Sequence, residues 1–126
     1  MATGTLTIDL KAIRQNWQNL RSMSINDAAA VVKANAYGLG LKQVAEALYA
    51  EGARIYFVAT TEEGAELRSS LGEIPEIYVF SGHMTGDTEL IRNYNLIPLI
   101  NSIEQLSRHN ELLREKKFGV QLDTGM

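Results

Sequence analysis

Cysteine is absent from the 126-residue sequence, which excludes disulfides and thiolate metal sites. No apolar stretch approaches the roughly 18–20 residues that span a bilayer, so no membrane association is expected. The opening Met1-Ala2-Thr3-Gly4 lacks the basic-then-apolar signature of a secretory signal, and the expected compartment is the cytoplasm. Charge of either sign is sparse: 21% of residues are charged, the net charge is −3, and Lys and Arg are scattered. That distribution argues against nucleic-acid or anionic-membrane partners. The two histidines, His83 and His109, lie far apart without a second ligand at metal-site spacing.

Apolar residues make up 45% of the chain, enough for one domain with a core. Their spacing alternates between strand and helix. Thr5–Ile8 is a short extended start, and Asp9 is a helix N-cap ahead of Leu10, Ile13, Trp17 and Leu20 at helical spacing. Ala28–Val32 has the small apolar character of a strand covered on both faces. After a glycine-punctuated loop from Asn35 to Gly40 come Leu41, Val44, Ala45, Leu48 and Tyr49 as a buried helical stripe, with Gly52 as its stop. Ile55–Ala59, Ile77–Phe80, Ile97–Ile100 and Phe118–Leu122 are further strands, although Pro98 is awkward in a central one. Thr60 with Glu63, and Ser102 with Gln105, are capping boxes. A weaker helix is expected from Asp87 to Tyr94, and a last one with Ile103, Leu106 and Leu113 inward.

Strand–helix alternation with short connections means parallel β-structure with covering helices, as an open doubly wound sheet or a (β/α)8 barrel. No turn carries a G-x-G-x-x-G or G-x-x-x-x-G-K-[ST] phosphate loop. A barrel usually takes about 250 residues, and about five strands would fill half of one. Residues 1–126 are therefore expected to be the N-terminal part of an α/β barrel, truncated after about five strands. The stop at Asp123-Thr124-Gly125-Met126, directly behind a strand, fits a fragment with two open sheet edges.

Lys33 ends an apolar strand, at the strand end where parallel α/β folds build their sites. Desolvated lysines there can serve as nucleophilic amines for a Schiff base. Tyr37 follows four residues later with a phenol, and Gly38 and Gly40 would let backbone N–H groups approach an anion. By position alone, however, a lysine at a strand end is usually a surface residue with a packed stem.

The string Lys33-Ala34-Asn35-Ala36-Tyr37-Gly38 resembles the pyridoxal-phosphate attachment segment of alanine racemases. Average residue usage makes six such matches a chance on the order of one in ten million per position. Ile8-Asp9-Leu10 with Asn16 and Leu20, Phe57-Val58-Ala59 with Glu63-Gly64 and Leu67-Arg68, Leu99-Ile100-Asn101-Ser102, and Asp123-Thr124-Gly125-Met126 resemble other family segments in the same order. The resemblance implies a (β/α)8 barrel holding pyridoxal 5'-phosphate, then a β-rich C-terminal domain, in a cytoplasmic homodimer that interconverts L- and D-alanine for peptidoglycan supply. Lys33 would carry the cofactor as a Schiff base and act as one of two opposed acid–base groups. Tyr37 would hydrogen-bond the cofactor phosphate. The second base, a tyrosine of the partner subunit's C-terminal domain, and the arginine that binds the substrate carboxylate lie outside these residues. The chain alone is accordingly expected to be inactive. At Gln121 the sequence departs from family members that carry a carbamylated lysine there. Gln can accept a hydrogen bond from that arginine but adds no negative charge.

Three alternatives stand beside this reading: an amino-acid decarboxylase of the same fold type, a racemase of broader specificity, and a non-catalytic pyridoxal-phosphate-binding protein. Ala36-Tyr37-Gly38 sets the racemase apart from the first and the last. Of the remaining polar residues, His83 falls in a loop after a strand, on the site side, where a minor role is the less expected reading, and His109 is expected on a solvated helix face. Glu62, Glu63 and Glu66 suit a helix's first turn, and Trp17 reads as packing. Asn35 and Asn101 would shape loops, and Asp123 would either support the site or cap a turn.

Overall fold

In the computed structural model, which describes residues 3–125, five parallel strands and six helices alternate. The strands are β1 (Ala30–Val31), β2 (Ile55–Val58), β3 (Glu76–Val79), β4 (Ile97–Ile100) and β5 (Gly119–Val120). They lie side by side in chain order, β1-β2-β3-β4-β5. Parallel crossovers are right-handed, so an unreversed strand order sends every helix to the same side of the sheet. A doubly wound sheet needs a reversal in that order. The arrangement is therefore that of consecutive strands of a (β/α)8 barrel, with a helix-covered outer face and a bare inner one. Thr5–Ile8 joins no ladder.

Side chains alternate accordingly. Tyr56, Val58, Ile77 and Val79 are buried beneath the helices, while Phe57 and Tyr78 between them are only half-covered. The strand ending in Val32 is thus covered on one face, not two, and Val31 is exposed on the other. Helices α3 (Leu41–Glu51) and α4 (Thr61–Leu71) cover this sheet, and α1 (Leu10–Met23) packs on α3. Leu41, Val44, Ala45 and Leu48 of α3 form the buried stripe, with Tyr49 partly buried beside it. From α1, Leu10, Ile13 and Trp17 reach the core, and Trp17 Nε1 donates to the Ala28 carbonyl at 3.0 Å. Leu20 stays exposed. Gly52 ends α3 at φ 115°.

The caps behave largely as expected. Asp9 accepts from Ala12 N, Thr60 from Glu63 N and Ser102 from Gln105 N. Glu63 reaches back to the Ala59 N–H, one residue before the cap. Pro98 is tolerated in a strand flanked on both sides: Val79 pairs with Pro98, while Leu99 and Ile100 pair with Gly119 and Val120. Helix α5 spans Thr88–Asn93 and α6 spans Ile103–Leu112. The inward side of α6 departs from expectation. Ile103 is 75% exposed, and the buried positions are Gln105 and His109, continued by Leu113. Their spacing of four is that of one helix face.

Candidate active site at the strand ends

Immediately after β1 the chain does something its sequence did not announce. Lys33–Tyr37 forms α2, and Ala34, Asn35, Ala36 and Tyr37 have φ values of 51° to 55°. This is one turn of left-handed helix. The left-handed conformation costs L-residues roughly 1–2 kcal/mol each, hence about 4–8 kcal/mol for four, a large fraction of a domain's net stability. Its hydrogen bonds oppose that cost: Ala36 N to Val32 O at 2.9 Å, Gly38 N to Ala34 O at 3.0 Å and Gly40 N to Asn35 O at 2.9 Å. Ala36 is buried in the core, and Asn35 Oδ1 accepts from Leu41 N at 2.8 Å, capping α3 from a distance. Gly38 and Gly40 adopt φ values of 84° and 100°. The expectation that their N–H groups would meet an anion is corrected, since both donate within the turn.

The turn places Lys33 and Tyr37, four residues apart, on the rim of one hollow. That hollow has a volume of about 590 Å³ and is also lined by Val31, Phe80, Leu99, Val120 and Gln121. Lys33 is half-buried, and its Nζ sits 5.4 Å from the centroid of the Phe80 ring. Lys33 forms no ion pair or hydrogen bond among the described residues. Tyr37 is 63% exposed. Phe80 stacks on Phe57 at 5.3 Å, and Phe57 on Tyr78 at 4.9 Å, so an aromatic tier floors the inner face. Below it Glu76 accepts from the Tyr78 hydroxyl at 2.8 Å and from Lys117 Nζ. Lys117 and Tyr78 together hold the Glu76 carboxyl below its ordinary range.

An aldehyde-bearing cofactor requires an accessible, unpaired amine facing a space of ligand size, typically about 300–1,000 Å³. Lys33 meets that requirement. Gln121 Oε1 is buried without a hydrogen-bond partner among the described residues and borders the same hollow, so it can accept from a donor entering there. The lining includes one phenol and no arginine, so a phosphate would find few donors among these residues. Asp123 accepts from Gly125 N at 3.0 Å, as a turn-capping Asx residue does. Met126, the last residue of its motif, lies outside the described residues, as do Met1 and Ala2 at the other end.

The histidines correct the sequence reading. His83 and His109 are both fully buried, and their Nδ1 atoms are 3.3 Å apart. His109 is thus no solvated helix residue. Its Nε2 lies 3.0 Å from the Lys116 carbonyl, and His83 Nε2 lies 2.9 Å from Thr88 Oγ1. A carbonyl only accepts, so His109 Nε2 carries a proton. One proton lies between the two Nδ1 atoms, and His83 Nε2 pairs with the Thr88 hydroxyl. Burial first, then His109 and Arg108, push the His83 pKa down to about 4. Helical spacing allowed His109 to be read inward beside Gln105 and Leu113, but its polarity argued the other way. Nothing in the sequence links it to His83.

With the geometry established, comparison with known proteins is informative. The profile of a family described as alanine racemase, N-terminal domain, matches residues 8–126. An alanine racemase of Cereibacter sphaeroides (strain ATCC 17025) is 60% identical over 128 residues, covering 100% of this chain and 37% of the relative. One from Jannaschia sp. is 52% identical over 126 residues, with the same coverage. The chain therefore spans 37% of the length of these curated relatives. Among solved structures, alanine racemase from Bartonella henselae, described with covalently bound pyridoxal phosphate, aligns with a TM-score of 0.86 at 37% identity. That match covers 94% of this chain and 34% of the other. Biosynthetic alanine racemase from Pseudomonas aeruginosa aligns at 0.84 and 32% identity, with coverages of 94% and 34%.

Proposed function

Because the chain belongs to the alanine racemase N-terminal domain family, we propose that it supplies the cofactor-carrying lysine of an enzyme interconverting L- and D-alanine. The observation that carries this reading is the unpaired Lys33 amine, half-exposed at the end of β1 over a ligand-sized hollow. Residues 1–126 act as the first part of a pyridoxal-phosphate-binding (β/α)8 barrel in a cytoplasmic homodimer. The family match and the absence of any helix long and apolar enough to cross a membrane, among the described residues, support that setting.

Lys33 would hold pyridoxal 5'-phosphate through Nζ. The phenol of Tyr37, on the same rim, would donate to the phosphate. When bound, the cofactor delocalises the electron pair left on the substrate α-carbon once its proton departs. Lys33 Nζ would remove or return that proton on one face. Racemisation needs a second acid–base group opposite; Gln121 and Phe80 carry no titratable group, and the Tyr78 hydroxyl is engaged by Glu76. We assign that role to a residue beyond this chain. Gln121 Oε1 would accept from a substrate-side cation. The β1 end would thus fix one face of the reaction, while the rest of the protein supplies the other.

The test is incubation with pyridoxal phosphate, borohydride reduction and peptide mass spectrometry. A saturable, near-stoichiometric adduct at Lys33 is expected, lost in Lys33→Arg. Slow labelling spread over surface lysines would overturn the assignment. D-alanine formation from L-alanine at native length, with serine as competitor, tests the substrate.

A further inference from the structure

The inner face of α6 carries three polar side chains, and each of them contacts one loop. Gln105 Oε1 accepts from the backbone N–H of His83 and of Asn101, each at 3.3 Å, and Gln105 Nε2 donates to Ser81 O at 2.9 Å. Arg108 Nη1 donates to His83 O at 2.6 Å, and His109 contacts the His83 imidazole. Asn101, just before α6, donates through Nδ2 to Phe80 O at 3.3 Å. Positions 105, 108 and 109 share a helix face, and their bonds converge on residues 80–83. That loop begins at Phe80, whose ring borders Lys33 Nζ and rests on Phe57. The chain from α6 to the amine is thus continuous through hydrogen bonds, one backbone segment and one ring.

We propose that Phe80 is a positioning residue for the Lys33 amine, and that Gln105, Arg108 and His109 fix Phe80 in that role. The proposal rests on the reading of Lys33 as the cofactor-carrying amine. A lysine stem has many rotamers of similar energy, and an ammonium is drawn to the face of an aromatic ring. With Phe80 held by its backbone and by Phe57, the ring face selects those rotamers that extend Nζ over the hollow. The tightness of α6 then determines how often the amine is presented. Phe80 touches Lys33 and acts by position, whereas the three α6 residues act only through the loop.

The first readout needs no cofactor. In the protein at native length, reductive methylation with carbon-13 formaldehyde gives each lysine a dimethylamine signal that keeps its charge. The Lys33 signal, identified by its loss in Lys33→Arg, is expected upfield of the other lysines because it lies over a ring. Phe80→Leu is expected to abolish that displacement, and Phe80→Tyr to retain it. Arg108→Ala and His109→Gln are expected to reduce it while far-UV circular dichroism stays native. Val44→Ala, a core truncation outside the clamp, is expected to leave it unchanged at comparable loss of stability. An unshifted parent signal, or a shift that survives Phe80→Leu, would overturn the role of the ring. A shift untouched in both α6 variants would overturn the clamp. The second readout is pyridoxal-phosphate labelling of Lys33, expected to slow roughly two- to fivefold in Phe80→Leu on the scale of an exposed cation–π contact. Failure of the parent to label would overturn the cofactor reading while leaving the carbon-13 result to decide the positioning.

Discussion

As pH falls, this fold should weaken first through His83. Its folded pKa is about 4 because the imidazole is fully buried against His109 and Arg108, whereas an unfolded histidine titrates near 6.5. Between these values the unfolded chain binds a proton that the folded chain refuses, so stability rises with pH across that window and falls as pH drops. At ~1.4 kcal/mol per pH unit, the loss is about 2.5 kcal/mol by pH 4.5, about 3 kcal/mol at pH 4, and approaches about 3.5 kcal/mol at lower pH. Glu62 and Glu76 are held below the usual carboxylate range, so they add acid sensitivity chiefly at lower pH. Asp87, raised by burial near the same loop, works in the opposite sense. Trp17, the single tryptophan, reports unfolding by fluorescence. With a urea m-value of about 2 kcal/mol per M, the midpoint should drop by roughly 1.3 M between pH 7.5 and 4.5 on account of His83. In His83→Gln that part of the slope should vanish, whatever the variant's stability at neutral pH. Parallel pH profiles for parent and variant would refute the lowered pKa.

Other perturbations separate strain, capping and buried charge. Ala34→Gly should stabilise by about 0.5–1 kcal/mol in chemical denaturation, because Ala34 is exposed at φ 51° and glycine relieves left-handed strain. Ala34→Val should cost more than 1 kcal/mol in the same assay. Asn35→Ala should cost about 1–2 kcal/mol in thermal unfolding by removing the cap on Leu41 N. Arg68 is buried and donates to the carbonyls of Gly72, Pro75, Tyr94 and Asn95. Arg68→Met should cost about 3–5 kcal/mol by urea unfolding, since those acceptors lose a charged donor.

Much of this architecture could be read from residue spacing. Periodicity located the four later strands and α1 and α3, because their apolar positions obey periods of two and 3.6 against a single core. The choice between barrel and open sheet was not available from spacing, since strand order is a property of the whole chain. Local polarity misleads at α6, suggesting Ile103 inward and His109 outward, yet the helix faces a loop whose backbone groups Gln105 and Arg108 satisfy and whose His83 ring meets His109. Arg68 was visible only as part of a matched string, although its role is to close four carbonyls drawn from two separate connections. Lys33 and Tyr37 were legible as chemistry, but their shared rim depends on a backbone conformation that propensity disfavours.

That conformation explains why the lysine segment looks as it does. A right-handed continuation after Val32 would be cheaper by several kcal/mol for Ala34 to Tyr37, so the left-handed turn must be held by what surrounds it. Ala36 seats in the core, Asn35 bonds both Gly40 N and Leu41 N, and Gly38 and Gly40 take the positive φ values at the exit. Four residues between Lys33 and α3 therefore have a structural duty: small at 36, an amide at 35, glycine at 38 and 40. Asn also tolerates positive φ better than most residues. Lys33 and Tyr37 are the two members of the turn whose side chains line the hollow, free of the core and of the cap. Residues 32–40 thus tether α3 to β1 and leave two side chains for chemistry. A variant that kept Lys33 but allowed a right-handed turn would retain the amine and lose its pairing with Tyr37 on one rim.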